Sequence, residues 1–307
     1  MEIYKKSVVV LILASIFGGL APGFARFAMK QFSPFSIMAL SSLISLITLL
    51  ILIGGVRNLY VNKKDIIFLI LAMTFWAINS ILFFHGLQGD NRAMATVTSV
   101  LYLFSPIIVL IISVMLKKLK FSFGKITGII FSISGVFVII SQSLTDTTQI
   151  LVRPVGGFQG NILILGGVLA ISFYWLISDE LTKKRNYSAF LVTIYSNLGI
   201  FLLATPFFIK EAASGGFYLF PLDPRAVIGI IGNSLLISVL TVYLYQWGIK
   251  HSSAFAGASV LYISPLSTAL FAFLFLEEKI SWVLIIGAIL IAIGVFFTTV
   301  LPAIKGG

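Results

Sequence analysis
Asn79 lies one helical turn after Trp76 in the middle of a long apolar run, and an amide at that depth is costly unless it faces a polar interior or a wet cavity. A spacing of 159 residues carries it to Ser238, beyond which Tyr243, Gln246 and Trp247 form a second polar and aromatic stripe. Tyr102, Ser105 and Pro106 have counterparts in Tyr262, Ser264 and Pro265. Each proline removes a helical hydrogen bond and frees the carbonyl four residues before it, that of Tyr102 in one case and of Leu261 in the other. Arg26 follows Gly18, Gly19, Pro22 and Gly23, a weak point in the first apolar run, and its guanidinium can grip a carboxylate in bidentate fashion. Together these groups can hold a small solute by hydrogen bonds and release it unchanged. Bond-making would need a converging acid, base, nucleophile or metal set. The chain has no cysteine, two separated histidines (His85 and His251), no acid pair inside an apolar run and no phosphate-cradling loop. Those absences weigh against an enzyme, a metal centre, a bound cofactor and an ATP-driven pump.

Each candidate also has a plainer reading. Pro106 and Pro265 are hinges of a pocket or simple packing kinks, since proline is common in membrane helices. Tyr102 and Tyr262 line a pocket or bond helix to helix. Arg26 meets an anionic group or snorkels to the interface. His85 is interfacial, and Asp179 and Glu180 pair with Lys183 and Lys184 at helical spacing.

These side chains need elements that hold them at one depth. Of 307 residues, 59% are hydrophobic and 10% charged, too few charges to cover a soluble globule, which carries about 25%. The net charge of +11 comes from bases that fall between apolar runs rather than on a face with interleaved aromatics, which marks membrane topology and argues against a nucleic-acid partner. Ten segments can each cross a bilayer as a helix: 7–29, 35–56, 66–88, 93–116, 122–142, 159–181, 188–209, 226–249, 253–276 and 281–301. The run after Lys5 and Lys6 is read as a retained first helix rather than a secretion signal, because it continues past Ala21 and the ten-span count requires it.

The chain is built twice. Ser99-Val100-Leu101-Tyr102 recurs as Ser259-Val260-Leu261-Tyr262, and a spacing of 159 pairs Gly89 with Gly248, Lys120 with Lys279, Ser122 with Ser281, Gly128 with Gly287 and Gly135 with Gly294. More weakly, Lys30 to Phe35 resembles Arg185 to Phe190 at a spacing of 155. The halves are 1–142 and 158–307, joined by a Thr-, Pro- and Gly-containing linker at 143–157. Five spans per half is an odd number, so the second half enters the membrane from the opposite side and the repeats are inverted. The fold class expected is therefore an all-α integral membrane protein of ten transmembrane helices in two inverted five-helix repeats. With ten spans, 14 of the 21 Lys and Arg residues fall on the side of the N-terminus and 7 on the other, which orients both termini toward the cytoplasm of a cell membrane. The glycine pairs Gly128/Gly135 and Gly287/Gly294 predict close packing of the fifth and tenth spans as scaffold.

Three features carry a family resemblance: the Ser-Pro in the fourth helix of each half, the Leu276-Glu277-Glu278-Lys279 turn, and the Gly-x6-Gly-Val of each last helix (Gly128 to Val136, Gly287 to Val295). The chain resembles the drug/metabolite transporter superfamily and, within it, the ten-helix EamA family. It departs from that pattern at Lys118, where the first half lacks the usual acid, and near Ser41-Ser42, where the usual base is missing. The resemblance implies ten helices around a central cavity and movement of small metabolites, often amino acids or related solutes, frequently outward. The absence of a carboxylate in the first helix argues against proton-exchanged cationic drugs and toward a neutral or zwitterionic solute. The binding set expected is Arg26, Trp76, Asn79, Tyr102, Ser105, Tyr243, Tyr262 and Ser264, with hinges at Pro106 and Pro265. Partners are the solute and membrane lipid, with the chain a monomer or homodimer. A non-transporting sensor or partner subunit, or a membrane-embedded enzyme, is the alternative.

Overall fold
The computed structural model describes residues 2–55, 59–116, 123–145, 156–218, 220–252, 263–278 and 280–297. Every extended element among them is helical. The helices are α1 (Glu2–Gly18), α2 (Ala21–Ala28), α3 (Pro34–Leu52), α4 (Ile66–Gly86), α5 (Ala95–Tyr102), α6 (Ser105–Met115) and α7 (Phe123–Thr145) in the first half. The second half holds α8 (Phe158–Asp179), α9 (Ala189–Ala213), α10 (Pro224–Ile231), α11 (Val242–His251), α12 (Ser264–Phe271) and α13 (Trp282–Val295). Joined across their breaks, these helices make seven segments long and apolar enough to span a bilayer, with three shorter apolar helices at the fifth, ninth and tenth positions. Residues 146–155 of the 143–157 linker lie outside the described residues, as does the start of the ninth span.

Local chemistry sets where the helices begin. Ser33 and Ser188, related by the 155-residue spacing, both cap a helix: Ser33 Oγ accepts from Ser36 N–H at 3.2 Å and Ser188 Oγ from Leu191 N–H at 3.1 Å. Asp223 caps α10 by accepting from the N–H groups of Arg225 (2.7 Å) and Ala226 (3.2 Å), and Ser281 caps α13 by accepting from Leu284 N–H (3.1 Å). Its counterpart Ser122 lies outside the described residues.

The contacts obey a twofold exchange of the halves. The third span packs on the sixth (α4 on α8), and its image pair, the eighth on the first, also packs (α10 and α11 on α2 and α1). The self-paired spans meet directly: second with seventh (α3 with α9), fourth with ninth (α5 with α12) and fifth with tenth (α7 with α13). In the last pair the glycines let backbones touch. A Cβ on Gly135 would stand 2.6 Å from the Gly287 carbonyl oxygen, and one on Gly294 would overlap Ser132 Oγ and the Gly128 carbonyl. The interior is a hydrophobic core interspersed with buried Ser, Thr, Asn and Gln, while large apolar side chains such as Ile51, Leu266 and Phe273 point outward as a lipid-facing surface.

Three spans are interrupted where they pass the centre. The first breaks at Gly19-Leu20, between α1 and α2, where Thr268 Oγ1 donates to the freed Gly19 carbonyl at 2.5 Å. The fourth breaks at Leu103-Phe104, and Pro106 becomes the second residue of a new helix, α6. The eighth winds as a π-helix over Gly232–Thr241. Two of the carbonyls in that stretch are bound from other spans, Ser234 O by Ser45 Oγ (3.0 Å) and Ser238 O by Asn197 Nδ2 (3.2 Å).

Candidate functional site
The interrupted spans surround a cavity of about 140 Å³ at the seam between the halves. Engineered cavities of about 150 Å³ accept a benzene-sized molecule. Eight spans contribute to its wall, from Gly18 in the first to Ser264 in the ninth, and no Asp, Glu, Lys, Arg or His is among the lining residues.

Four members of the expected set meet here: Trp76, Asn79, Tyr102 and Ser264. Tyr102 donates its phenol to Asn79 Oδ1 at 2.6 Å, which ties the third span to the fourth and leaves the Asn79 amide N–H₂ as the free end of the pair. Ser238, the image of Asn79, lines the opposite wall from the π-helical stretch. Pro106 and Pro265 both stand at the second position of a helix, α6 and α12, and Ser264 opens α12 directly against the cavity.

Three members do not line it, each for a local reason. Ser105 is fully buried and shares a 3.0 Å hydrogen bond with Ser172 Oγ, so its hydroxyl is spent locking α6 to α8. Tyr243 packs its ring on Phe190 of α9 with centroids 4.3 Å apart and is absent from the cavity wall. Arg26 lies further along α2, where its Nη1 makes a long 3.4 Å bond to the Leu87 carbonyl, and it faces a separate pocket. Tyr262 lies outside the described residues.

The wall also holds residues that the sequence reading passed over: Ser41, Ser42, Thr98, Ser99, Trp175, Asn233, Thr241 and Tyr245. Ser42 and Thr98 donate to their own i−4 carbonyls, Met38 (2.6 Å) and Met94 (2.8 Å), as hydroxyls in any membrane helix do, so nothing in the sequence distinguishes them. Trp175 carried a signal, since the 155 spacing maps it onto Leu20 at the break of the first span.

Buried polar groups of the wall with no hydrogen-bond partner among the described residues include the indole N–H groups of Trp76 and Trp175 and the Ser41 hydroxyl. A buried donor without an acceptor costs about 1–3 kcal/mol, so the cavity presents unmet demand for hydrogen-bond acceptors. Backbone ends add to it. Ala21 and Pro22 open α2 and Ser264 opens α12, both helices without a side-chain cap, while Gly18 and Tyr102 close α1 and α5. Partial positive charge at helix starts and partial negative charge at helix ends are thereby aimed into a site whose described lining carries no Asp, Glu, Lys, Arg or His.

Toward the side on which α1 begins, the cavity is sealed. Trp76, Tyr174, Trp175 and Tyr245 form a ladder of rings at successive centroid distances of 4.7, 5.2 and 5.1 Å. Behind it Gln246 donates to Tyr174 Oη (2.6 Å) and Ser178 Oγ (3.2 Å), and Tyr174 bonds Ser196 (2.8 Å). At that surface Asp65 accepts from Arg185 and, at 2.7 Å, from Tyr187 Oη, while Lys250 donates to the Tyr187 carbonyl at 3.2 Å. Burial and the bond to Asp65 push the Tyr187 phenol above its ordinary pKa, so it remains a donor at neutral pH.

The family model for EamA-like transporters matches residues 5–141 and again 158–300. An uncharacterized transporter of Archaeoglobus fulgidus is 29% identical over 180 residues, 57% of each chain, so that match spans under two thirds of the relative's length. The uncharacterized transporter YcxC of Bacillus subtilis is 25% identical over 293 residues, 94% of this chain and 90% of its own. A solved crystal structure superposes with a TM-score of 0.70 over 99% of both chains at 14% identity, a likeness of fold alone. A ten-span helical membrane protein, matched twice by one family model over nearly its whole length, the chain belongs to the EamA-like transporter family.

Proposed function
We propose that this transporter is a secondary carrier of amino acids or closely related neutral and zwitterionic solutes, working by alternating access between its inverted halves. The observation that carries the reading is a central cavity, walled by both halves, whose described lining holds no Asp, Glu, Lys, Arg or His yet keeps buried indole and hydroxyl donors unpartnered. A zwitterion suits such a site. Its carboxylate is served by the uncapped starts of α2 and α12 and by the indole N–H groups, its ammonium by the carbonyl ends of α1 and α5, and its apolar body by the aromatic wall. In this reading both termini lie on the cytoplasmic side of a cell membrane, the side that carries 14 of the 21 Lys and Arg residues.

Purified protein in liposomes, assayed by counterflow with a panel of labelled amino acids, tests the proposal. Saturable exchange of at least one neutral amino acid, lost in Asn79→Leu, is the expected result. Exchange of none of them, or exchange indifferent to Asn79→Leu, overturns it.

A further inference from the structure
Opposite the sealed face, at the far end of the first span, lies a second pocket of about 340 Å³. Its wall carries Arg26, Lys30, Arg92 and Arg225, against a single lining carboxylate, Glu277. Ten-span topology assigns seven Lys and Arg residues to this side, and four of them converge here. Bases are depleted on this face by the bias that orients the protein, so gathering four in one hollow is not explained by topology.

Nor do they neutralise acids. Among the described residues no carboxylate lies within 4 Å of any of the four, although ion pairs of that length do form elsewhere, at Asp65, Asp179 and Glu180. Two acids near the pocket, Glu278 and Asp223, are engaged as helix caps. Glu278 caps α5, accepting from the N–H groups of Ala95 (2.8 Å) and Thr96 (3.0 Å) and from Thr96 Oγ1 (3.0 Å). Asp223 caps α10. The contacts the four do make are few: Arg26 has a long bond to the Leu87 carbonyl at 3.4 Å, Arg92 one ordinary bond to the Gly89 carbonyl at 3.0 Å, and Arg225 lies over the Phe27 ring at 6.0 Å. Three guanidinium forks and an ammonium therefore face one hollow with most of their donors unspent.

We propose that this pocket is a binding site for a phosphate-type oxyanion. Guanidinium forks match phosphate oxygens in bidentate fashion, and three forks call for a group with three or more acceptor oxygens rather than a lone carboxylate. Phosphate in this position is available from two sources, free in solution or as the headgroup of an anionic lipid, since the pocket opens at the end of a membrane span where headgroups lie. The site is separate from the central cavity and does not depend on which solute that cavity carries.

The test uses the full chain and two probes. In detergent, inorganic phosphate is titrated against chloride at equal ionic strength and the unfolding midpoint is followed. In nanodiscs, pure phosphatidylcholine is compared with phosphatidylcholine containing phosphatidylglycerol. A saturable upward shift in at least one arm is expected, with the apparent affinity weakened about tenfold or more in the Arg92→Gln/Arg225→Gln variant and unchanged in Lys63→Gln/Lys64→Gln at the opposite face. Exposed Lys30→Gln, the mildest change, gives a smaller loss in the same arm and serves if the double variant does not fold. A response to phosphate alone assigns the site to a soluble oxyanion, and a response to phosphatidylglycerol alone assigns it to a lipid headgroup. No shift beyond chloride and phosphatidylcholine, or an equal loss in the Lys63/Lys64 variant, overturns the proposal.

Discussion

At the residue scale the Asn79–Tyr102 pair is the most exacting contact of the cavity. Replacing Asn79 with Leu strips the phenol of its acceptor and the wall of its amide, and counterflow is expected to fall about tenfold or more with yield unchanged, the equivalent of about 1.4 kcal/mol. Tyr102→Phe, which leaves the amide in place, is expected to lose less. Ser105→Ala marks the boundary of the site: because that hydroxyl faces Ser172, transport should stay near wild type while stability drops by about 1 kcal/mol, read as a lowered unfolding midpoint. Unaltered flux in the first variant, or abolished flux in the last, would redraw the site. That Asn79 and Trp76 face the interior was legible because an amide in mid-membrane has few tolerable positions and a neighbour one turn away shares its face, while Tyr102 stood out through the repeated Ser-Val-Leu-Tyr run ahead of Pro106. Ser41, Ser42 and Thr98 were not, since a hydroxyl that can bond its own helix leaves no trace of which way it turns.

At the element scale, the fifth and tenth spans form a lock of glycines. Gly135→Ala would bring a methyl to 2.6 Å from the Gly287 carbonyl and 2.7 Å from Ile291, so a loss of about 1–3 kcal/mol is expected in thermal unfolding. Gly124→Ala on the same helix meets nothing nearer than 3.6 Å among the described residues and should leave the midpoint close to wild type. Equal effects would mean that the spans do not rely on this approach. The seven-residue glycine spacing announced the lock in advance, as Pro106 announced the break in the fourth span. The π-winding of Gly232–Thr241 had no such herald. It is stabilised by Ser45 and Asn197, donors from two other spans whose proximity only the assembled bundle creates.

At the scale of the whole molecule, the two halves meet as images of each other, and the face on which α1 begins is fastened by Asp65, Arg185, Tyr187 and Lys250. Asp65→Asn removes the charge that Arg185 and Tyr187 share, and opening toward that face is expected to become easier. A single cysteine placed at Ser178, which is fully buried in the seal, reports this directly because the chain has no other thiol: its labelling rate should rise about tenfold for a shift of about 1.4 kcal/mol. An unchanged rate would remove the latch from the account. Inversion itself followed from counting five spans per repeat, whereas the latch joins loops whose partners no spacing rule pairs. One asymmetry outlasts the symmetry. The third span is a plain α-helix over Ile66–Gly86, while its image, the eighth, is π-wound beside the cavity. A solute approaching from one compartment therefore encounters a different wall from one approaching from the other, and half-saturating concentrations measured from the two compartments will be unequal. For uncoupled movement of a neutral species, detailed balance still forces the quotient of maximal velocity over half-saturation to be identical in both directions. The stiffer winding and the looser one thus set two different speeds while leaving the resting distribution untouched.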